Sequence, residues 1–307
     1  MTWMITGTGW HPRMFREEVS RIHGQFTPLH PRILELEDWD KDQSWCSEST
    51  FLLREAAILP MDEAEIPAFL DEWGSGLNIQ GTFAVRASKF GVGLPALSKR
   101  NVEHLVGHHF FRLGHSVDLV NPETIIRVIM AGAPDRPQHM DSMDSYPLLV
   151  IGIDETYEKP YLKRAMTSMP FFKPVTLDPK LASLLISLAY QDRNPPDQII
   201  DPFCGTGCIS LQARFRGITA LSSDVDPIMV EGAKKNFGYA YGQESPNHPF
   251  ETSDASKLFE TWGSQSNTAF IFDPPYARNS RTSDSAFDVL RSACESAKEI
   301  DPEGGIV

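Results

Sequence analysis

Cysteine is scarce in this sequence, and a long hydrophobic run is absent. The four cysteines among 307 residues form no paired pattern, which argues against a disulfide-stabilised secreted fold and predicts reduced thiols. No apolar run approaches the roughly 18 residues that a membrane-spanning helix needs, and no basic segment leads into an apolar one at the N-terminus. These absences predict a cytoplasmic protein that neither enters a membrane nor is exported.

An overall excess of positive charge is also absent. The sequence has 28 Lys and Arg against 41 Asp and Glu, a formal net charge of -13, which argues against an indiscriminate binder of polyanions. The charge is uneven, because residues 80–130 hold six bases against three acids, whereas residues 32–72 hold three bases against twelve acids. This asymmetry, +3 against -9, predicts one face that can contact nucleic acid and another that repels it.

Neither an internal repeat nor a metal-binding motif is present. His104 and His108 stand one helical turn apart, but no cysteine lies near them, and a solvated helix face explains them equally well. We therefore expect no bound metal.

The most informative motif that is present runs from Asp201 to Gly207 and reads Asp-Pro-Phe-Cys-Gly-Thr-Gly. The apolar residues 198–200 before it predict a buried parallel strand, and residues 208–213 after it predict a helix. Gly205 and Gly207 permit a sharp turn that leaves room for a ligand beside the N-terminus of that helix. This order of strand, turn and helix is typical of α/β domains that bind nucleotides.

Acidic residues follow the next two predicted strands. Asp224 stands 23 residues after Asp201, close to the spacing of roughly 20 residues at which an acid meets ribose hydroxyls. Asp226 is followed by proline and predicts a helix N-cap, so the ribose contact is assigned to Asp224. Asp254 is a candidate for holding the adenine amine, with a helix cap as the alternative. A dinucleotide cofactor is disfavoured because Ser210 stands where Gly-x-Gly-x-x-Gly has its third glycine.

The second motif is Asp273-Pro274-Pro275-Tyr276, which follows an apolar strand at 269–272. An exocyclic amine of a nucleobase is a poor nucleophile because its lone pair is delocalised into the ring. Asp273 and the carbonyl of Pro274 can each accept one N–H and turn the lone pair towards a sulfonium methyl group. Tyr276 can stack on the base. These three residues are the predicted catalytic residues.

The two motifs resemble those of the amino-methyltransferase superfamily, whose members carry Asp-Pro-Pro-Tyr or Asn-Pro-Pro-Tyr. The resemblance implies an α/β, Rossmann-like fold of class I that uses S-adenosylmethionine, and the aspartate form favours a nucleobase substrate. Residues 171–182 resemble the segment that precedes the first strand in these enzymes and covers the cofactor, with Phe172 and Thr176 as candidates. The predicted cofactor-binding residues are Thr176, Asp201, Phe203, Gly205, Gly207, Asp224 and Asp254.

The residues from about 45 to 155 resemble a THUMP domain, a module of tRNA-modifying enzymes that holds the acceptor end. The resemblance is carried by residues 83–86 (Phe-Ala-Val-Arg) and 117–122 (Val-Asp-Leu-Val-Asn-Pro). THUMP followed by such a methyltransferase resembles the archaeal and eukaryotic tRNA guanine-N2 methyltransferases acting at guanosine 10. This implies tRNA as the partner and no DNA, and leaves open whether a small activator protein takes part. The candidate RNA contacts are Arg86, Lys89, Lys99, Arg100, Lys163 and Arg164.

The resemblances also predict how the chain is divided. We expect a ferredoxin-like α+β domain at 1–60, a THUMP domain at 61–155, a linker at 156–175 and a methyltransferase domain at 176–307. A methyltransferase sheet of this class has about seven strands, and the sequence accounts for four, a helix at 285–300 and the beginning of a fifth. The last strands of the sheet are therefore expected to be missing.

Two other functions remain open at this point. An N6-adenine or N4-cytosine methyltransferase acting on DNA or RNA would use the same Asp-Pro-Pro-Tyr chemistry, although the THUMP-like half argues against it. A non-catalytic tRNA-binding protein would need only the first half, although the presence of both motifs argues against that function.

Overall fold

The computed structural model describes residues 1–7, 11–39, 46–91, 94, 97–133, 147–157, 166–242, 248–274 and 286–307. The chain divides into two compact units. The first comprises Met1–Gln43 and Glu48–Glu158, and the second comprises Ser44–Ser47 and Lys159–Val307.

The first unit is built on one mixed sheet. Its elements, in chain order, are β1 (Trp3–Gly7), α1 (Pro12–His23), β2 (Phe26–His30), β3 (Ile33–Leu36), β4 (Ser49–Ile58), α2 (Ile66–Ser75), β5 (Phe83–Phe90), α3 (Lys99–Arg112), β6 (Thr124–Ala131) and β7 (Leu148–Asp154). The strand order is β2-β3-β1-β4-β7-β6-β5. Neighbouring strands are antiparallel except for the parallel pair β5 and β6.

Helix α3 has one buried face and one exposed face. Val102, Val106 and Phe110 recur every four residues and are fully buried, and they pack with α2 against strands β5, β6 and β7. The helix begins at Ser98, whose hydroxyl accepts the N–H of Asn101 at 3.1 Å. The opposite face carries basic and imidazole side chains that are all exposed, namely Lys99, Arg100, His104, His108 and Arg112.

The sheet is continuous across residue 60, where a domain boundary was expected. Strand β4 lies in the predicted ferredoxin-like part and β7 in the predicted THUMP part, and the two are paired through Leu53–Asp154 and Ile58–Val150. The division of the first 155 residues into two domains stays a prediction.

The second unit is built on a parallel sheet. After a short 3₁₀ helix at Met166–Ser168 come α4 (Pro179–Leu188), β8 (Gln198–Asp201), α5 (Cys208–Phe215), β9 (Thr219–Asp224), α6 (Pro227–Tyr241), β10 (Phe250–Thr252), a 3₁₀ helix at Ala255–Lys257, α7 (Leu258–Trp262), β11 (Thr268–Phe270), α8 (Ala286–Ile300) and β12 (Gly305–Ile306). The strand order is β10-β9-β8-β11-β12, and every pair is parallel.

The direction of the strand order reverses between β8 and β11. Successive strands run outward from β8 through β9 to β10 on one side, and from β11 to β12 on the other. In open parallel sheets a ligand crevice forms outside the carboxyl ends of the strands at such a reversal. The fold therefore marks the carboxyl ends of β8 and β11 as the place to look for a site.

Two expectations from composition can be compared with the structure. All four cysteines are free thiols, in agreement with the expected absence of a disulfide framework. Within the part of the chain that the structure describes, no helix is both long enough and apolar enough to cross a membrane.

Candidate active site

Four predicted acids follow the carboxyl ends of neighbouring parallel strands. Asp201 ends β8 and Asp224 ends β9, whereas Asp254 and Asp273 come shortly after β10 and β11. Because parallel strands present their carboxyl ends at one edge of the sheet, the fold brings these acids to the same edge.

Asp201 lies at the buried centre of this edge. Its side chain is 1% exposed, and one carboxylate oxygen accepts the N–H of Phe203 at 3.1 Å. Burial raises the pKa of Asp201 well above its usual range, the hydrogen bond from Phe203 opposes the rise, and the negative charges of Asp224 and Asp273 add to it. Three carboxylates therefore interact electrostatically around the reversal point, which is a common property of functional sites.

The glycine turn is open on one side and closed on the other. Gly205 and Gly207 both have left-handed backbone angles, with φ of 49° and 85°. A Cβ atom on Gly207 would lie 3.0 Å from the Cβ of Ala233 in α6, whereas one on Gly205 would meet only the carbonyl oxygen of Phe203, at 3.9 Å. Gly207 thus permits close packing of α6, and Gly205 leaves the outer side of the turn free for a ligand.

Asp224 has a structural role that the sequence did not reveal. One carboxylate oxygen accepts the N–H of Gly205 at 3.0 Å, and the other accepts the N–H of Asp226 at 2.9 Å. Burial raises its pKa, and these two hydrogen bonds oppose the rise. The inference that only Asp226 of the two acids has a structural role was therefore wrong for Asp224. A carboxylate can accept about four hydrogen bonds, so the predicted ribose contact stays compatible with both roles.

Asp226 and Asp254 both cap helices. Asp226 accepts the N–H of Ile228 at 2.8 Å at the start of α6, as its position before a proline predicted. Asp254 is exposed, and one carboxylate oxygen accepts from the backbone N–H and the hydroxyl of Ser256 at 2.9 and 2.8 Å. These hydrogen bonds lower its pKa. The capping alternative is thus present, and the adenine contact stays a prediction.

The residues before the second motif join it to the first. The N–H of Ile271 donates to the carbonyl of Ile200 at 3.1 Å, which carries the strand pairing beyond β11. The rings of Phe203 and Phe272 meet edge to face with their centroids 6.0 Å apart. Asp273 follows directly, and it and Pro274 are half-buried. Pro275 and Tyr276 lie outside the described residues, so the stacking role of Tyr276 stays a prediction.

The segment before α4 also reaches the glycine turn. The hydroxyl of Thr206 donates to the hydroxyl of Thr176 at 3.1 Å, so Thr176 lies beside the turn, and its predicted contact with the cofactor stays a prediction. Phe172 is 44% exposed. Sequence reasoning missed Asn236, a fully buried residue of α6 whose Oδ1 accepts the N–H of Phe171 at 2.8 Å.

The candidate RNA contacts fall into three groups. Lys89, Lys99 and Arg100 are exposed. Arg86 is half-buried and donates to the carbonyl of Leu119 at 2.5 Å and to that of Val85 at 3.3 Å, so it supports the loop after α3. Lys163 and Arg164 lie outside the described residues.

The chain is similar in sequence to known methyltransferases. Residues 167–307 match the UPF0020 family, described as an RMKL-like methyltransferase domain. The chain is 30% identical over 224 residues to the tRNA (guanine(10)-N2)-dimethyltransferase of Pyrococcus abyssi, covering 72% of this chain and 61% of that protein. It is 31% identical over 233 residues to the protein of the same name from Methanothermobacter thermautotrophicus, covering 75% and 62%. The chain thus spans about three fifths of the length of the curated relatives that it matches.

A solved structure shares the architecture of the chain. The crystal structure of TrmN from Thermus thermophilus aligns with a TM-score of 0.56 at 20% identity, covering 100% of this chain and 88% of that one. At this identity the similarity concerns the fold. Together with the family match, it confirms the predicted Rossmann-like fold.

Proposed function

We propose, on the premise that residues 167–307 form a UPF0020 methyltransferase domain, that the protein methylates the exocyclic N2 amine of a guanosine in tRNA with S-adenosylmethionine as donor. The names of the two curated relatives support the tRNA substrate and guanosine 10 as the position. The observation that carries the proposal is the convergence of Asp201, Asp224 and Asp273 at the reversal point between β8 and β11.

The groups around the glycine turn suit the chemistry of the cofactor. The open side of Gly205 and the first turn of α5 suit the carboxylate of the methionine part, because helix N-termini present free N–H groups. Asp224 would accept hydrogen bonds from the ribose hydroxyls with lone pairs that its two backbone partners leave available. Thr176, Asp201 and Phe203 would form the inner wall, and Asp254 the adenine end.

Asp273 and Pro274 are proposed to prepare the amine for attack. The carboxylate of Asp273 and the carbonyl of Pro274 each accept one N–H, which directs the nitrogen lone pair towards the methyl group. When bound, S-adenosylmethionine would supply the methyl group and its sulfur would keep the electron pair of the carbon–sulfur bond. The methylated nitrogen would then carry a positive charge until its proton passes to solvent. Asp273 offsets this developing charge, so its contribution is greatest in the transition state.

Helix α3 is the proposed contact for the tRNA backbone. Arg100, His104, His108 and Arg112 recur every four residues on its exposed face, with Lys99 beside them. The positive charges of Lys99, Arg100 and Arg112 can contact phosphates, and the net charge of -13 disfavours indiscriminate contacts elsewhere. Lys89 on β5 is a further exposed candidate.

Analysis of reaction products tests the proposal directly. Unmodified tRNA is incubated with the protein and S-adenosylmethionine carrying a labelled methyl group, and the nucleosides are then identified by mass spectrometry. The expected product is labelled N2-methylguanosine or its dimethyl form. Labelled N6-methyladenosine or N4-methylcytidine would refute the substrate and leave the reaction class in place. Absence of any labelled nucleoside while tRNA still binds would favour the non-catalytic alternative.

The proposed function also suggests where the protein is located and which partners it needs. We propose a cytoplasmic protein, because tRNA is available there and the four thiols are free. Participation of a small activator protein stays a prediction, and the same assay tests it, since labelled product from the purified chain alone would make an activator unnecessary.

A further inference from the structure

Both ends of the segment of residues 171–176 are connected by hydrogen bonds to Thr206 of the glycine turn, one end directly and the other through Asn236. At one end, the side-chain amide of Asn236 donates to the carbonyl of Phe171 at 2.7 Å and to the carbonyl of Thr206 at 2.9 Å. At the other end, the hydroxyl of Thr206 donates to the hydroxyl of Thr176 at 3.1 Å. Thr206 is 4% exposed and stands between the two glycines of the turn.

Asn236 uses nearly all its hydrogen-bonding capacity for this attachment. Its side chain is 0% exposed, both amide protons are donated, and Oδ1 accepts the N–H of Phe171 at 2.8 Å. A buried amide that lost these partners would keep the full cost of its desolvation. Asparagine is also a poor helix former, so helix propensity does not explain its place in the middle of α6.

The ring of Phe171 packs directly against the backbone of Gly232. Gly232 lies one helical turn before Asn236, on the same face of α6. A Cβ atom on Gly232 would lie 2.1 Å from Cδ1 of Phe171 and 2.2 Å from Cε1, so the ring occupies the space that any other residue would need. Glycine in a helix interior is destabilising relative to alanine, and the close approach of this ring is the reason for it here.

We propose that Gly232 and Asn236 form a latch on α6 that holds residues 171–176 against the glycine turn and thereby sets the affinity for the cofactor. Phe172 and Val175 lie between the two attachments and expose 44% and 62% of their surface, so the segment carries exposed apolar side chains. If residues 171–176 are already ordered in the free protein, they lose less conformational entropy when the cofactor binds. Asn236 is thus a positioning residue, and the inference rests on the proposed use of S-adenosylmethionine.

Two glycines of α6 give a matched test. A Cβ atom on Gly232 would displace the Phe171 ring, whereas one on Gly238 meets nothing within 4 Å. Gly232→Ala and Gly238→Ala both replace a helical glycine by the best helix former, so neither lowers the stability of the helix itself. Calorimetry with S-adenosylmethionine should give native affinity for Gly238→Ala and an affinity lower by roughly tenfold or more for Gly232→Ala, because the binding energy must then also order the segment.

Hydrogen exchange separates the latch from a general structural effect. In Gly232→Ala, and in Asn236→Ala as a second variant, the amides of residues 171–176 should exchange faster than in Gly238→Ala, while β8 and β9 keep their protection. Equal affinities or equal exchange in the two glycine variants would overturn the latch. If the native protein itself bound no S-adenosylmethionine, the proposed function would fail. Native binding with no difference between the variants would remove the latch alone.

Discussion

Asp273 is the residue on which the proposed chemistry depends most directly. Asp273→Asn keeps one acceptor for the amine but loses the charge that offsets the developing ammonium, so the single-turnover methylation rate should fall by about two to three decades. Affinities for tRNA and cofactor should change little. Asp192→Asn is a matched control, because Asp192 is an exposed acid before β8 with a φ of 47° that asparagine also adopts readily. Equal rates in both variants would exclude Asp273 from catalysis.

At the same scale, Asp224 combines a structural and a proposed binding role that two variants can separate. Asp224→Ala removes acceptors from Gly205 and Asp226, and should lower cofactor affinity by about one to two decades, since a charged hydrogen bond contributes roughly 1.5 to 3 kcal/mol. Asp226→Ala removes only the helix cap and should cost about 1 kcal/mol of stability with little loss of affinity. Calorimetry and thermal unfolding measure the two effects, and unchanged affinity in Asp224→Ala would remove it from the site.

At the scale of elements, α3 is proposed to carry a large part of the tRNA affinity. The double variant Lys99→Glu with Arg100→Glu should bind tRNA more weakly, while cofactor affinity stays the same. The slope of log affinity against log salt concentration should become shallower by about two, which corresponds to the loss of two phosphate contacts. Lys257→Glu with Lys298→Glu changes the net charge equally at exposed positions of the second unit and serves as control. A filter-binding salt titration with the same slope for both pairs would count against α3.

The elements also show what could be predicted from sequence. Strands β6 and β10 can be recognised in the sequence, because each is a short run between clear breaks. Strand β2 cannot be recognised in the same way, since it contains Pro28 and only two large apolar side chains, a composition that an edge strand tolerates. The role of Asn236 could not be predicted because its partners are backbone groups 30 and 65 residues away.

At the scale of the whole molecule, His248 makes a contribution to stability that is lost in mildly acidic solution, whereas the raised pKa values of Asp201 and Asp224 act in the opposite direction. Burial lowers the pKa of His248 to about 4, with the positive charge of Arg214 as a second cause, whereas an unfolded histidine has a pKa of about 6.5. Between these values the unfolded chain binds the proton and the folded chain does not, so this stability is present above pH 6.5 and is lost as the pH falls towards 4.

His248→Asn isolates that contribution. Asparagine can still accept the N–H of Ala220 but cannot titrate. The loss of unfolding free energy between pH 7.5 and 5, measured by denaturant titration, should therefore be smaller in the variant by about 1 to 3 kcal/mol. Buried His30, whose pKa is also lowered chiefly by burial, contributes in the same direction in both proteins. An identical pH dependence in the variant would show that His248 is not the source.

The pairing of β4 with β7 governs the order in which the first unit can assemble on the ribosome. The second neighbour of β4 begins at Leu148, about ninety residues after β4 ends at Ile58. At a synthesis rate of about 5 to 20 residues per second, the nascent chain must keep this edge unpaired for roughly 5 to 20 seconds. Such an edge is a template for pairing with other chains, so we expect this edge of the emerging polypeptide to be open to such pairing until residue 154 has left the exit tunnel.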